Sequence, residues 1–200
     1  GDVGHVADGH AQAALLATAL TALGHDVVLT REPTDGTWGT LIRSAAKNGR
    51  RLPPLDELDA FLKDRAEHVA RVIQPALARG AVVITDRYYH STVAYQGAVF
   101  LPVELRQTNE RAFPRPDLVV YLRIAPSVAM ARVGARGAAT SFEAERTLRG
   151  ASAIYETLVD ATWRCLDATK PQAVLAYDVI ASVEAELRRK APRSDVSAAL

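Results

Sequence analysis

The sequence predicts an α/β fold, a doubly wound parallel sheet between two layers of helices. Short apolar runs, DVVLT at 26–30, AVVIT at 81–85, LVVYLRI from Leu118 and AVLAY at 173–177, alternate with stretches of helical period. That alternation is the mark of βαβ units. The second observation is the stretch Ala81–Gly97, AVVITDRYYHSTVAYQG. A β-branched run there ends in Asp86-Arg87 and passes into a polar-aromatic segment with helical spacing, as a buried parallel strand delivers chemistry at its carboxyl end.

Taken in order, Gly1–His10 is rich in glycine and histidine and holds no apolar strand. From Gln12 a run of strong helix formers with a leucine face continues until Gly24 stops it. The strand at 26–30 runs into Arg31-Glu32-Pro33-Thr34-Asp35-Gly36, where proline and glycine end both helix and strand. A helix over Trp38–Lys47 follows, then a break at Pro53-Pro54. Leu55–Arg79 carries apolar residues near helical period, with Pro75 expected to kink or break it. Beyond the central strand, LPVELRQTNERAF reads as a helix, a third strand begins near Leu118, and Pro126 opens a helix to about Arg136. A longer helix is expected over Phe142–Leu166, a fourth strand at 173–177, a closing helix over Ile180–Lys190, and a frayed tail at about 192–200.

Two hundred residues at 48% hydrophobic content support one sizeable core, so a single domain over 1–200 is expected. Lys+Arg 24 against Asp+Glu 23 gives a net charge of +1, which argues against a nucleic-acid tract or a polybasic membrane patch. An anion must therefore be met locally. Only Lys47, Lys63, Lys170 and Lys190 are lysine; arginine suits bidentate phosphate recognition, and a GC-rich genome gives the same bias. The lone Cys165 rules out an intramolecular disulfide and favours a reducing compartment. No apolar run reaches membrane-spanning length and no signal peptide is visible, so the expected location is cytoplasmic.

Candidate chemistry gathers at strand ends. Asp86 and Arg87 offer a carboxylate for a hydrated cation or a proton and a fork for an anion, or else they cap the following helix. Arg31 and Arg87 both follow strand ends, so a doubly wound sheet brings them to one rim. Phe61 and Arg65 are four apart and share a helix face; the alternative makes Phe61 core and Arg65 a surface partner of Asp64 or Glu67. Arg132 and Arg136, again four apart, precede a glycine-alanine break, with Arg146 and Arg149 nearby.

Arg31-Glu32-Pro33, Phe61-Leu62-Lys63-Asp64-Arg65, Asp86-Arg87-Tyr88, Ala94-Tyr95-Gln96-Gly97 and Pro116-Asp117-Leu118 together resemble the thymidylate kinase family in order and spacing. The similarity runs from about Gln12 to Ala185. It implies a P-loop kinase fold with a short lid at about 132–143, transfer of the ATP γ-phosphoryl to dTMP with Mg2+, and a homodimer packed through helices. It also assigns roles. Phe61 and Arg65 bind thymine. Arg31 and Arg87 hold the monophosphate and the transferred group, and Asp86 positions the metal's water shell or the acceptor phosphate. Tyr95 and Gln96 pack under the deoxyribose, Ser91 and Thr92 meet the thymine edge, and Arg132 and Arg136 close over ATP.

The phosphate-binding loop departs from that pattern. It should read G-x-x-x-x-G-K-[ST], with backbone donors, a lysine on the β- and γ-phosphates and a hydroxyl on Mg2+. Here Gly4–Ala11 reads GHVADGHA. Gly4 and Gly9 keep the spacing, but His10 replaces the lysine and Ala11 the hydroxyl. An imidazole is mostly neutral at pH 7, so His10 is a partial, pH-dependent substitute for an ammonium. The first strand of the fold is also expected to be missing or degenerate, leaving two unpaired edges mid-sheet. The alternative to an impaired kinase is an inactive paralogue that binds nucleotide as a regulatory or scaffolding module.

Overall fold

The structure, a computed structural model, describes residues 9–47, 52–135 and 142–190. The chain opens with α1 (Gly9–Ala22), β1 (Val27–Arg31), α2 (Thr37–Lys47) and α3 (Pro54–His68). The last runs through a π-helical turn at Val69–Ile73 into α4 (Gln74–Ala78). Then come β2 (Val82–Asp86), α5 (Tyr89–Gln96), α6 (Pro102–Ala112), β3 (Val119–Arg123), α7 (Pro126–Ala135), α8 (Phe142–Leu158), β4 (Trp163–Asp167) and α9 (Gln172–Lys190). The interruption expected at Pro75 takes the form of that wider turn just before it. Pro75 has no N–H to give the preceding turn, and a π-bulge accommodates this without ending the helix.

Among the described residues the strands form two parallel pairs, β1 with β2 and β3 with β4, rather than one continuous sheet. Alternation along the strands shows that both pairs share the same two faces. Val82 and Ile84 of β2 and Val120 and Leu122 of β3 pack with Leu16 and Leu20 of α1 and Leu175 and Val179 of α9. Their neighbours Val83, Val119 and Tyr121 pack on the opposite core, built on Val69, Ile73, Tyr89, Val93, Leu105 and Trp163. Side chains that alternate between two helix-covered faces are what a three-layer α/β fold requires.

Two expected elements are corrected. The helix expected over Phe142–Leu166 ends at Leu158, and Trp163–Asp167 is a strand instead. Asp160 breaks the helix, because its Oδ1 accepts from both the backbone N–H (2.9 Å) and the hydroxyl (2.6 Å) of Thr162. Asp167 ends the strand the same way, through Thr169. The tripeptide Asp-Ala-Thr thus brackets β4 on both sides, as Asx turns compete with regular structure. The strand expected at 173–177 is the first part of α9. Leu175, Ala176 and Val179 are buried while Tyr177 is 73% exposed, a helical spacing that outweighs the short apolar run.

A buried imidazole gives this fold an acid limit. His90 lies 4.0 Å from the ring of Tyr89 and edge-on to Trp163 at 5.0 Å. Burial, reinforced by the Arg106 guanidinium, pushes its pKa down to about 4. The folded state then binds fewer protons than the unfolded chain between about pH 6.5 and pH 4. The stability that neutral His90 contributes is present above the unfolded value and is lost as pH falls below it. We expect unfolding free energy to drop by as much as about 1.4 kcal/mol per pH unit from this group across that window. Denaturant titrations at pH 7, 6 and 5 check this, because a His90→Phe variant should show a correspondingly shallower acid slope.

Candidate active site

The carboxyl rim of β1 and β2 is fixed by strand register. Arg31 pairs with Asp86, and the Glu32 N–H donates to the Asp86 carbonyl at 3.0 Å. Arg87 follows with φ of 70°. The Thr85 hydroxyl donates to the Arg87 carbonyl at 2.7 Å, and the Arg87 guanidinium lies 5.7 Å from the Tyr95 ring. The helix start of α1 meets this rim: a Cβ on Gly9 would touch Asp86 Oδ1 at 3.3 Å, and His10 Nδ1 lies 3.6 Å from Asp86 Oδ2. One carboxylate, two arginines and an imidazole therefore share one edge.

A left-handed conformation at a non-glycine residue costs about 1 to 2 kcal/mol and persists where the surroundings need it. Arg87→Gly is accordingly expected to match or exceed the natural chain in thermal midpoint, by roughly 2 to 4 °C for 1 kcal/mol relieved. A clearly lower midpoint in thermal unfolding would show that the guanidinium supports the fold rather than the rim.

Behind the rim lies a buried polar network. Arg65 is 1% exposed and donates from Nε (3.0 Å) and Nη2 (2.7 Å) to Glu32 Oε2, from Nη1 to Asn109 Oδ1 (2.7 Å), and from Nη2 to the Thr92 hydroxyl (3.0 Å). Its face also lies 5.4 Å from the Tyr88 ring and 5.7 Å from the Phe113 ring. The other Glu32 oxygen meets His68 Nδ1 at 3.0 Å, while His68 Nε2 meets the Thr30 hydroxyl at 2.7 Å. With Nδ1–H donating to the carboxylate, Nε2 is left to accept from Thr30. The reading of Arg65 as a surface partner of Asp64 or Glu67 is thereby corrected. Asp64 instead accepts from the Thr34 backbone N–H (2.8 Å) and hydroxyl, pinning the loop after β1 to α3.

The other candidates take distinct places. Phe61 is half-buried on the same helix as Arg65, and Thr92 is buried at 2%. Ser91 Oγ lies 2.8 Å from the Tyr155 hydroxyl, which burial pushes up to about 12 and so keeps protonated at neutral pH. Tyr95 is half-buried near Arg87, whereas Gln96 is 3% exposed and donates from Nε2 to Glu57 Oε2 at 2.6 Å. Arg31 is half-exposed and bonds Asp35 Oδ1 at 2.8 Å, an exposed pair worth little in stability and free to be exchanged for a ligand. Arg132 donates from Nη1 to the Ala168 carbonyl at 2.9 Å. Gly4, Arg136 and most of the expected lid lie outside the described residues.

Sequence reading did not single out Glu32, His68 or Asn109 as partners. The signal available was Glu32 inside Arg-Glu-Pro, next to an arginine already chosen, and His68 three residues after Arg65 on the same helix. No group of three or more His, Cys, Asp or Glu suited to a metal is present among the described residues. Mg2+ is commonly held by one or two carboxylates together with substrate phosphates, and among the described residues of the rim Asp86 is the carboxylate. Ala11 adds no oxygen to that set.

Comparison with known proteins places the chain in a family. A family model described as thymidylate kinase matches residues 10–179. A thymidylate kinase of Xanthomonas campestris pv. campestris (strain B100) is 48% identical over 144 residues, covering 72% of this chain and 63% of the relative. One of Xylella fastidiosa (strain M12) is 41% identical over 155 residues, 77% of this chain and 71% of the relative. Another, from strain 9a5c, is 38% identical over 174 residues, 86% and 83%. The chain thus spans somewhat less than two thirds of the length of the Xanthomonas relative.

Proposed function

This chain belongs to the thymidylate kinase family, and from that membership we propose that it transfers the γ-phosphoryl of ATP to dTMP, giving dTDP and ADP. The observation that carries the reading is the pairing of Arg31 with Asp86 across the strand rim, with Arg87 next to it and the start of α1 facing it. Arginines at such a rim hold the monophosphate and neutralise the equatorial oxygens of the transferring group without moving a proton. Arg132 from α7 and Arg136 add charge over the donor nucleotide. Asp86 would hold Mg2+, which when bound supplies charge neutralisation between the phosphates. Phe61 stacks on the thymine, and Tyr95 packs under the sugar.

Arg65 acts from behind. Its guanidinium has five N–H donors, of which four are used by Glu32, Asn109 and Thr92. One Nη1–H remains for a base carbonyl. Arg65 and Thr92, held rigidly together, form the wall of the acceptor pocket. Gln96, tied to Glu57 through Nε2, packs with Tyr95 under the deoxyribose. A cytoplasmic homodimer is the physical form we propose; no helix among the described residues is long and apolar enough to cross a membrane.

Titration calorimetry with dTMP tests the acceptor half directly. Saturable heat below millimolar dTMP is expected, and its absence at that concentration would remove the acceptor assignment. A second reading is favoured by His10 and Ala11 specifically: a chain that binds nucleotide but has given up transfer. It predicts that dTMP heat persists while ADP release in a coupled assay stays at background.

A further inference from the structure

Arginine and carboxylate commonly meet as a fork, with two parallel bonds, one to each oxygen. Arg65 and Glu32 do not. Both Nε (3.0 Å) and Nη2 (2.7 Å) of Arg65 donate to the same oxygen, Oε2. The second oxygen, Oε1, is taken by His68 Nδ1 at 3.0 Å, and the other His68 nitrogen, Nε2, is held by the Thr30 hydroxyl at 2.7 Å. Short-range spacing sets this up. Thr30 and Glu32 are two apart at the end of β1 and face the same side, while Arg65 and His68 are three apart on α3 and share a helix face. The His68 and Glu32 side chains are 1% and 4% exposed, so water supplies no competing partner.

The surroundings hold both partners. The Glu32 backbone is fixed by its N–H bond to the Asp86 carbonyl. The guanidinium lies 5.4 Å from the Tyr88 ring and 5.7 Å from the Phe113 ring, and it gives Nη1 to Asn109 and Nη2 to Thr92. Without the His68 N–H, Oε1 is free and the pair can close into the two-oxygen fork. That fork aligns the planes of carboxylate and guanidinium and turns the Nη1 edge off its line to Asn109. The remaining Nη1–H turns with it.

We propose that His68 is a positioning residue for base recognition: by occupying Glu32 Oε1 it keeps Arg65 out of the fork and aims the remaining Nη1–H at the acceptor base, given the dTMP pocket proposed for Arg65 and Thr92. His68 acts through Glu32 and not by contact with the nucleotide. An N–H fixed in a dry wall must meet an acceptor. A keto group at the base's 4-position satisfies it, whereas an amino group there sets two donors face to face and leaves both unpaired. The His68–Glu32 contact thereby sets the preference for a keto over an amino base.

Three variants of the full chain separate positioning from support of the fold. His68→Asn puts an amide N–H where Nδ1 stands and keeps the donor to Glu32. His68→Gln reaches the Nε2 position, so Thr30 keeps a partner while Oε1 is freed. His68→Phe keeps a ring in place and also frees Oε1. Titration calorimetry reads binding of dTMP and of 5-methyl-dCMP, which differs from dTMP only at the 4-position and N3 of the base; thermal midpoints are measured beside it. His68→Asn is expected to bind dTMP within about threefold of the natural chain, and the other two about 10- to 100-fold more weakly, the worth of one hydrogen bond to a charged group. Preference for dTMP over 5-methyl-dCMP falls by the same factor in those two alone, and either one that folds decides. Natural dTMP affinity in His68→Gln or His68→Phe overturns the proposal. So does an affinity that simply follows the midpoints across all three variants, which marks His68 as support for the fold. A natural chain without saturable dTMP heat instead overturns the acceptor pocket itself, and the role of His68 with it.

Discussion

The His10→Lys, Ala11→Ser double variant is expected to phosphorylate dTMP at least about 100-fold faster than the natural chain, because one preorganised donor to a developing charge is typically worth 10² to 10³ in rate. His10 stands at the first turn of α1 with its side chain 53% exposed and Nδ1 3.6 Å from Asp86. A lysine placed there keeps contact with Asp86 and carries full charge at neutral pH. A serine at position 11 adds the hydroxyl that the metal-binding set lacks. The assay is ADP release coupled to NADH oxidation, with dTMP, ATP and Mg2+. Equal rates in the two proteins would mean that another group, with Arg132 and Arg136 nearest in role, already replaces the lysine. A silent natural chain beside an active variant would establish a sound scaffold whose donor half was relinquished.

How much of this was legible in the sequence depended on how local the deciding physics was. The central strand and its Asp86-Arg87 rim read correctly because a β-branched run followed by a charged pair is a local pattern, and so did α1, α2, α6 and α7 within a few residues. Trp163–Asp167 failed because a five-residue strand carrying Arg164 is weaker locally than the helix before it. Only the side-chain turns of Asp160 and Asp167 isolate it. The 173–177 run failed because period two and period 3.6 cannot be told apart over five residues; burial of Val179 decides it. The parallel α/β frame of the P-loop fold was thus recovered although the fourth strand was misplaced by ten residues (173 against 163). At the site, residue types and the shared rim were readable. The Glu32–Arg65–His68 network was not, since its members are 33 and 36 positions apart in sequence.

Replacing Arg65 should be the most destabilising single change in this chain. Arg65 and Glu32 have side chains 1% and 4% exposed, so deleting the guanidinium leaves a carboxylate buried without its main partner. Breaking a buried pair from one side costs about 3 to 5 kcal/mol, whereas replacing both partners can be close to neutral. Arg65→Met is therefore expected to lower the thermal midpoint by roughly 6 to 20 °C at 2 to 4 °C per kcal/mol. Arg65→Met with Glu32→Gln should recover part of that loss, because an amide has no charge to desolvate and still accepts from His68. Differential scanning calorimetry of the three variants checks both statements; equal midpoints for the single and double variants would mean that Glu32 was never the stranded partner. The same series separates structure from recognition. If Arg65 also gives its remaining N–H to thymine, the double variant regains stability but not the rise in midpoint that dTMP produces in the natural chain. If its role ends at Glu32, Asn109 and Thr92, that rise returns with the stability.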